Sequence, residues 1–193
     1  MSESKEGAQV KIAAAPAGLG KKSGPNSEFT LMFDVAKGHE KAMREELPKF
    51  GAAVAANKDI PFLAGLHDSR LTLFDNDTRL LFATTFDGDI DTYVDDALTR
   101  LMPVLHMWMR HLEGYPGTMD TMLRPDQYSE SKKWFLSYFR TSSVYTRVYP
   151  RSLKEIEKAL KVNEAFQKVL DNPASHKAFQ DPALKPLLDL ASD

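Results

Sequence analysis

The sequence predicts an α+β domain, an antiparallel sheet with helices gathered on one of its faces, and three stretches carry that prediction. Phe29, Leu31, Phe33 and Val35 alternate with Thr30, Met32 and Asp34, the period-two pattern of a half-buried strand. Residues 70–74 and 79–86 are apolar-rich runs joined by Asp75-Asn76-Asp77-Thr78. Asn and Asp suit such a hairpin turn because they tolerate left-handed backbone angles. Val94, Leu98, Leu101, Leu105, Trp108 and Leu112 form an apolar stripe at helical spacing over residues 91–112.

The remaining elements follow in order. Residues 1–26 are rich in Gly, Ala, Ser, Lys and Pro without any period, so they are expected to be a disordered tail before a single domain over 27–193. Order is expected to begin at Glu28. Lys37-Gly38-His39 turns the first strand into a helix carrying Ala42, Met43, Leu47 and Phe50, which Pro48 should kink or end. Residues 51–66 read as Ala-rich and then loop-like. Asp87-Gly88-Asp89 breaks the hairpin's second strand, Asp89 or Asp91 caps the helix that follows, and Pro103 should bend it. Gly114-Tyr115-Pro116-Gly117 ends it. A loop over 118–127 and an aromatic-rich helix from Ser129 to Phe139 precede Val144 to Tyr149, whose alternation predicts a last strand. Pro150-Arg151-Ser152 then opens a helix carrying Leu153, Ile156, Leu160, Phe166 and Leu170, and a short helical tail follows near Pro182 to Leu190.

Taken together, the order is that of a ferredoxin-like βαββαβ sheet with helices on one face and extra C-terminal helices. The bare face of such a sheet needs a cover. A second copy closing a dimeric barrel across a two-fold axis supplies one, so a homodimer is expected.

Composition narrows the function classes. The 193 residues are 42% apolar and carry a formal net charge of -2, which leaves ample material for a core and no global field to draw in nucleic acid or an anionic membrane. Without cysteine there is no disulfide, thiolate nucleophile or cysteine metal site. The N-terminal stretch lacks the apolar run of a secretory leader, and no segment approaches the ~20 apolar residues of a membrane span, so a cytoplasmic address is expected. No Gly-x-Gly-x-x-Gly, P-loop, His-Glu-x-x-His or Gly-x-Ser-x-Gly motif occurs.

Several groups are candidates for chemistry. His67, in Gly65-Leu66-His67-Asp68-Ser69-Arg70, sits before a strand, where it could serve as a general base or haem ligand with Asp68 or Arg70 tuning its charge. Equally, it could be a loop histidine bonded to backbone. His106 and Arg110 are four apart on the second helix and share a face, with Trp108 nearby; this face could line a pocket in which Arg110 holds a carboxylate, or it could be core. Trp134, Tyr138, Tyr145 and Arg147 belong to an aromatic and basic cluster suited either to a planar ligand or to a dimer contact. The acids Asp87, Asp89, Asp91, Asp95 and Asp96 lack the later glutamate of a calcium loop and read as helix caps, so no metal site is assigned.

Two stretches resemble a known superfamily. Phe33 to Leu47, with Lys37-Gly38-His39-Glu40, is similar to the strand, turn and helix that open antibiotic-biosynthesis-monooxygenase-like domains. Arg79 to Asp96, with Glu113-Gly114-Tyr115-Pro116, resembles a functionally unsettled bacterial group in the same dimeric α+β-barrel superfamily. The resemblance covers roughly residues 28–170. It implies a barrel, and it admits cofactor-free monooxygenases, haem-degrading monooxygenases, chlorite dismutases and dye-decolourising peroxidases. Of the peroxidases' Gly-x-x-Asp-Gly signature this chain keeps only Asp87-Gly88.

The sequence therefore leads to a small-molecule-binding barrel, read as a cofactor-free oxidoreductase on a planar hydrophobic substrate. His67 and Arg70 are the catalytic candidates, and His106, Trp108, Arg110, Trp134, Tyr138, Tyr145 and Arg147 line the ligand. The alternatives are a haem-binding member and a non-catalytic dimerisation module; whether the chain is an enzyme stays open at this level.

Overall fold

A computed structural model describes Ala14, residues 19–57 and residues 65–191. The chain divides into two compact units, Met1–Leu153 and Lys154–Asp193. Most of the expected tail, and residues 58–64 of the expected loop, lie outside the described residues.

The first unit is built on a five-stranded antiparallel sheet: β1 (Lys21–Ser23), β2 (Asn26–Asp34), β3 (Leu66–Phe74), β4 (Arg79–Asp87) and β5 (Phe139–Arg140). Its order is β1-β2-β4-β3, with β5 also on β2. Strands β2 and β4 pair along their whole length, from Asn26 opposite Asp87 to Asp34 opposite Arg79. The predicted hairpin is β3–β4, and Asp75, Asn76 and Asp77 turn it with φ of 50°, 55° and 67°. Three consecutive left-handed residues are costly for most side chains, which is why short polar ones stand here. The hydroxyl of Thr78 donates to the Asp75 carbonyl at 2.6 Å, and Arg44 clamps Asp77.

Pairing sorts the residues of each strand onto two faces. Phe29, Leu31 and Phe33 of β2 share a face with Leu80, Phe82, Thr84 and Phe86 of β4, and this face is the core. Four helices supply the rest of that layer or its flanks: α1 (Glu40–Ala56), α2 (Ile90–Arg100), α3 (Met102–Met109) and α4 (Tyr128–Ser137). Phe29 meets Tyr93 of α2 and Phe135 of α4 edge-on, while Trp108 of α3 stands edge-on to Phe33 and Phe82. Such edge-to-face contacts set positive ring edges against negative ring faces.

Four expectations are corrected. The ordered sheet begins before Glu28: Lys21–Ser23 folds back on β2, in a stretch whose composition reads as tail. Helix α1 continues through Pro48 to Ala56, because Pro48 is exposed while Met43, Leu47 and Phe50 on the other side anchor the helix to the core. The helix predicted over 91–112 is two helices broken at Leu101, with Pro103 in the first turn of α3, where a missing N–H costs nothing. Of the two acids expected as the cap of α2, Asp89 is the one that serves, accepting from the Thr92 N–H at 3.1 Å.

The last correction matters most for the site. Val144 to Tyr149 is not a strand; the fifth strand is only Phe139–Arg140. The reason lies in β2's free edge. Residues 26–28 of that edge are already paired with β1, so β5 finds partners only at Thr30 and Leu31. Beyond Arg140 the chain leaves the ladder and passes over the sheet's second face.

The same packing explains Lys132, 2% exposed on α4, whose ammonium lies 2.6 Å from both Asp91 and Asp95 of α2. The second unit is the helical C-terminal extension: most of α5 (Leu153–Leu170), three short 3₁₀ turns and α6 (Lys185–Ala191). Within it Phe166 and Phe179 meet edge-on at 6.2 Å. No described helix is long and apolar enough to cross a membrane.

Candidate functional site

On the face of the sheet away from the core, polar residues crowd one end. Strand alternation puts Asn26 and Glu28 of β2, Thr85 and Asp87 of β4, and Asp68 of β3 together there. A β-bulge between Leu66 and Asp68 interrupts the β3–β4 register and inserts His67 into this group. Residues 141–152 cross above it. Ser142 donates to the Glu28 carboxylate at 2.8 Å, and Arg147 reaches both His67 and Asp68.

Asp87 is the hub. One carboxylate oxygen lies 2.8 Å from His67 Nε2 and 2.9 Å from Asn26 Nδ2; the other accepts the backbone N–H of Leu153 at 2.7 Å, which opens α5. Asn26 Nδ2 also donates to the Arg151 carbonyl at 3.1 Å. These two acceptors fix the amide's orientation. The 2.9 Å approach of Asn26 Nδ2 to His67 Nε2 is then two donors converging on one carboxylate oxygen. With its proton on Nε2, the imidazole presents the Nδ1 lone pair to the Arg147 guanidinium, 3.4 Å away. The result is a chain Asp87–His67–Arg147–Asp68, with the His67 side chain 5% exposed.

Among the described residues, three buried polar atoms in this cluster lack a partner: Asn26 Oδ1, Glu28 Oε1 and the Tyr145 hydroxyl oxygen. Burial pushes the Tyr145 phenol above its ordinary value. Two unpartnered acceptors beside a phenol form a pattern that a hydrogen-bond donor from outside the chain would complete.

The remaining candidates fall elsewhere. Arg70 is exposed on β3, so Arg147 and not Arg70 is the cation beside His67. Trp108 is fully buried in the core, edge-on to Phe33 and Phe82. Trp134 stacks on Phe33, and both the Trp134 indole N–H and the Tyr138 hydroxyl donate to the Glu113 carbonyl, at 3.2 and 3.1 Å; these two aromatics hold the loop after α3. Tyr149 is exposed. Asp91 and Asp95 hold Lys132, and Asp96 lies 3.5 Å from Arg100, in line with the reading of these acids as structural.

His106 and Arg110 belong to a second locality, beyond the other end of β2. His106 Nδ1 and the Tyr115 hydroxyl are 2.9 Å apart, and His111 faces His39 across 3.3 Å. Burial holds His106 and His111 below the ordinary histidine value and pushes Tyr115 up to about 12. Neutral His106 therefore accepts from the Tyr115 O–H.

Asn26, Glu28 and Asp87 were not singled out as site residues from the sequence, although Asp87 was weighed as a calcium ligand. Asn26 falls at the end of the stretch whose composition reads as tail, and Glu28 stands just before the strand's apolar alternation. Knowing the β2–β4 register would have paired Asn26 with Asp87.

These features define an α+β protein with a five-stranded antiparallel sheet, a helical layer on one face and an acid–imidazole–guanidinium chain around a buried His67 ring on the other. No protein family, curated protein or solved structure matches it.

Proposed function

We propose that this protein binds a small planar molecule bearing a phenolic or enolic hydroxyl at the polar end of the sheet, and that the Asp87–His67 pair takes its proton. The Asp87–His67–Arg147 chain, its buried imidazole held between a partly exposed carboxylate and a partly exposed guanidinium, is the observation that carries this reading. The Asp87 carboxylate faces the ring N–H and would balance the imidazolium formed when Nδ1 accepts a proton. Arg147, displaced from Nδ1, is within reach of the oxyanion left on the ligand. The unpartnered Glu28 and Asn26 oxygens suit the ligand's hydroxyl donors. Entry requires residues 141–152 to lift, which is easier than opening a ladder because few backbone hydrogen bonds hold them.

The enolate would then give one electron to dioxygen, and the resulting radical and superoxide would combine as a peroxide anion. The His67 imidazolium would return its proton to give the hydroperoxide, and loss of water from that would leave the new carbonyl, the cofactor-free monooxygenase route. Haem ligation has less support. Both His67 ring nitrogens are engaged, and His106 is buried with Nδ1 on Tyr115.

Oxygen uptake with a panel of hydroxynaphthalenes and anthrones tests the reading. Wild type should consume oxygen above background with at least one of them. His67→Asn should lower that rate about 100-fold or more, the range of a lost general base, and Arg70→Ala should leave it intact. No uptake with any compound, or an unchanged rate in His67→Asn, overturns it.

The strand order supports a ferredoxin-like assignment, with β1 as an addition. The other end of the second face carries Met32, Leu81, Ala83 and Phe74 among Thr30, Arg70, Thr72 and Arg79, a mixed surface that a second copy would cover to close a barrel. Light scattering should give twice the chain mass, falling to one chain in Leu81→Glu with the circular dichroism retained. A monomeric wild type removes the dimeric barrel.

A further inference from the structure

Beyond the C-terminal end of β2, roughly 25–30 Å along the strand from Asn26, a cavity of about 350 Å³ opens between the Ala36–His39 turn and the loop after α3. It is large enough for a small organic molecule. Lys37 and His39 line it from the turn; Arg110, Tyr115 and Met119 line it from the loop. Gly114, with φ of 67°, lets that loop reverse direction, and the Trp134 and Tyr138 bonds to Glu113 pin it from behind.

Arg110 is the least satisfied charge here. Its guanidinium has five donors, yet among the described residues it makes one hydrogen bond, to the Met119 carbonyl at 3.3 Å. Its nearest carboxylate oxygen, on Glu46, is 3.6 Å away and lies on a group that Lys49 also holds at 2.8 Å. The buried Arg110 Nε has no partner. Glu113 is the only acid on the lining, against Lys37 and Arg110. The Tyr115 phenol keeps its proton, so the far wall is neutral.

The geometry points to a binding site for a small aryl or alkyl carboxylate, its charge held by the Arg110 fork and Lys37 and its apolar part against Tyr115 and Met119. A planar fork matches a carboxylate in a way that a point charge does not. This site is independent of His67 and of the proton transfer proposed there.

Calorimetric titration of the full chain with benzoate, and with its neutral isostere benzamide, is the test. Benzoate should saturate one site while benzamide shows no binding. Arg110→Gln should weaken benzoate at least tenfold, and Lys37→Glu, a change at an exposed position that leaves the core untouched, should weaken it several-fold. His67→Asn should leave the affinity unchanged. Benzamide binding as tightly as benzoate, unchanged affinity in Lys37→Glu, or loss of binding in His67→Asn each overturns the proposal.

Discussion

Asp87→Ala is expected to destabilise the first unit by about 3 kcal/mol, the scale of losing an ionised acceptor that several donors share. His67 Nε2, Asn26 Nδ2 and the Leu153 N–H all lose their partner at once. Two of these groups are buried, so water does not fully replace the carboxylate. The substitution also releases the imidazole from its orientation, so oxygen uptake should fall as far as in His67→Asn. Asp87→Asn separates the two effects. It keeps the volume, but the new amide N–H would face the His67 ring and drive the proton to Nδ1, toward Arg147, where donor meets donor. Urea denaturation gives the stability change. A loss below about 1 kcal/mol for Asp87→Ala, smaller than one charged hydrogen bond is worth, would mean that this carboxylate does not organise the cluster.

Trp108→Ala carries the larger cost, about 4 kcal/mol, in the range measured for deleting a large aromatic from a packed core. The indole is fully buried and contacts Phe33, Phe50 and Phe82, joining α3 and α1 to the sheet. Its N–H has no partner, so truncation strands no polar group and the loss is one of packing alone. Because α3 leads directly into the loop that holds Arg110 and Tyr115, benzoate binding should weaken in the same variant, whereas Trp108→Phe should retain most of both. Thermal melts followed by near-ultraviolet circular dichroism check the first point. A melting temperature within a degree or two of wild type would contradict the assignment of Trp108 to the core.

The hairpin was legible because its turn residues announce it: three short polar side chains in sequence suit a run of left-handed angles and little else. The strand at 29–35 and the stripe at 94–108 were equally plain, since a half-buried strand and an amphipathic helix each impose their period on the residues they bury. Where two sequence signals competed, one of them misled. Val144 to Tyr149 alternates as a strand should, but alternation describes which side chains face inward, and an extended segment lying on a sheet shows it as well as one paired into a ladder. Tyr145 and Arg147 are both half-buried, and Arg147 meets His67 and Asp68 of β3 without any ladder pairing.

His67 stood out in the sequence as a candidate, but its partners did not. Asp87 and Asn26 lie 20 and 41 residues from it, and Arg147 lies 80. Arg70, three positions away, is the nearest cation in the sequence, but its side chain is exposed on β3 opposite Ala83, and Arg147 reaches the ring instead. The sequence by itself determined the periodic elements, the hairpin turn and the aromatic character of the core, because each follows from interactions among near neighbours or from burial alone. Only the tertiary structure decided which polar side chains meet, because strand register and the already occupied edge of β2 set those distances, and both depend on residues far apart in the chain.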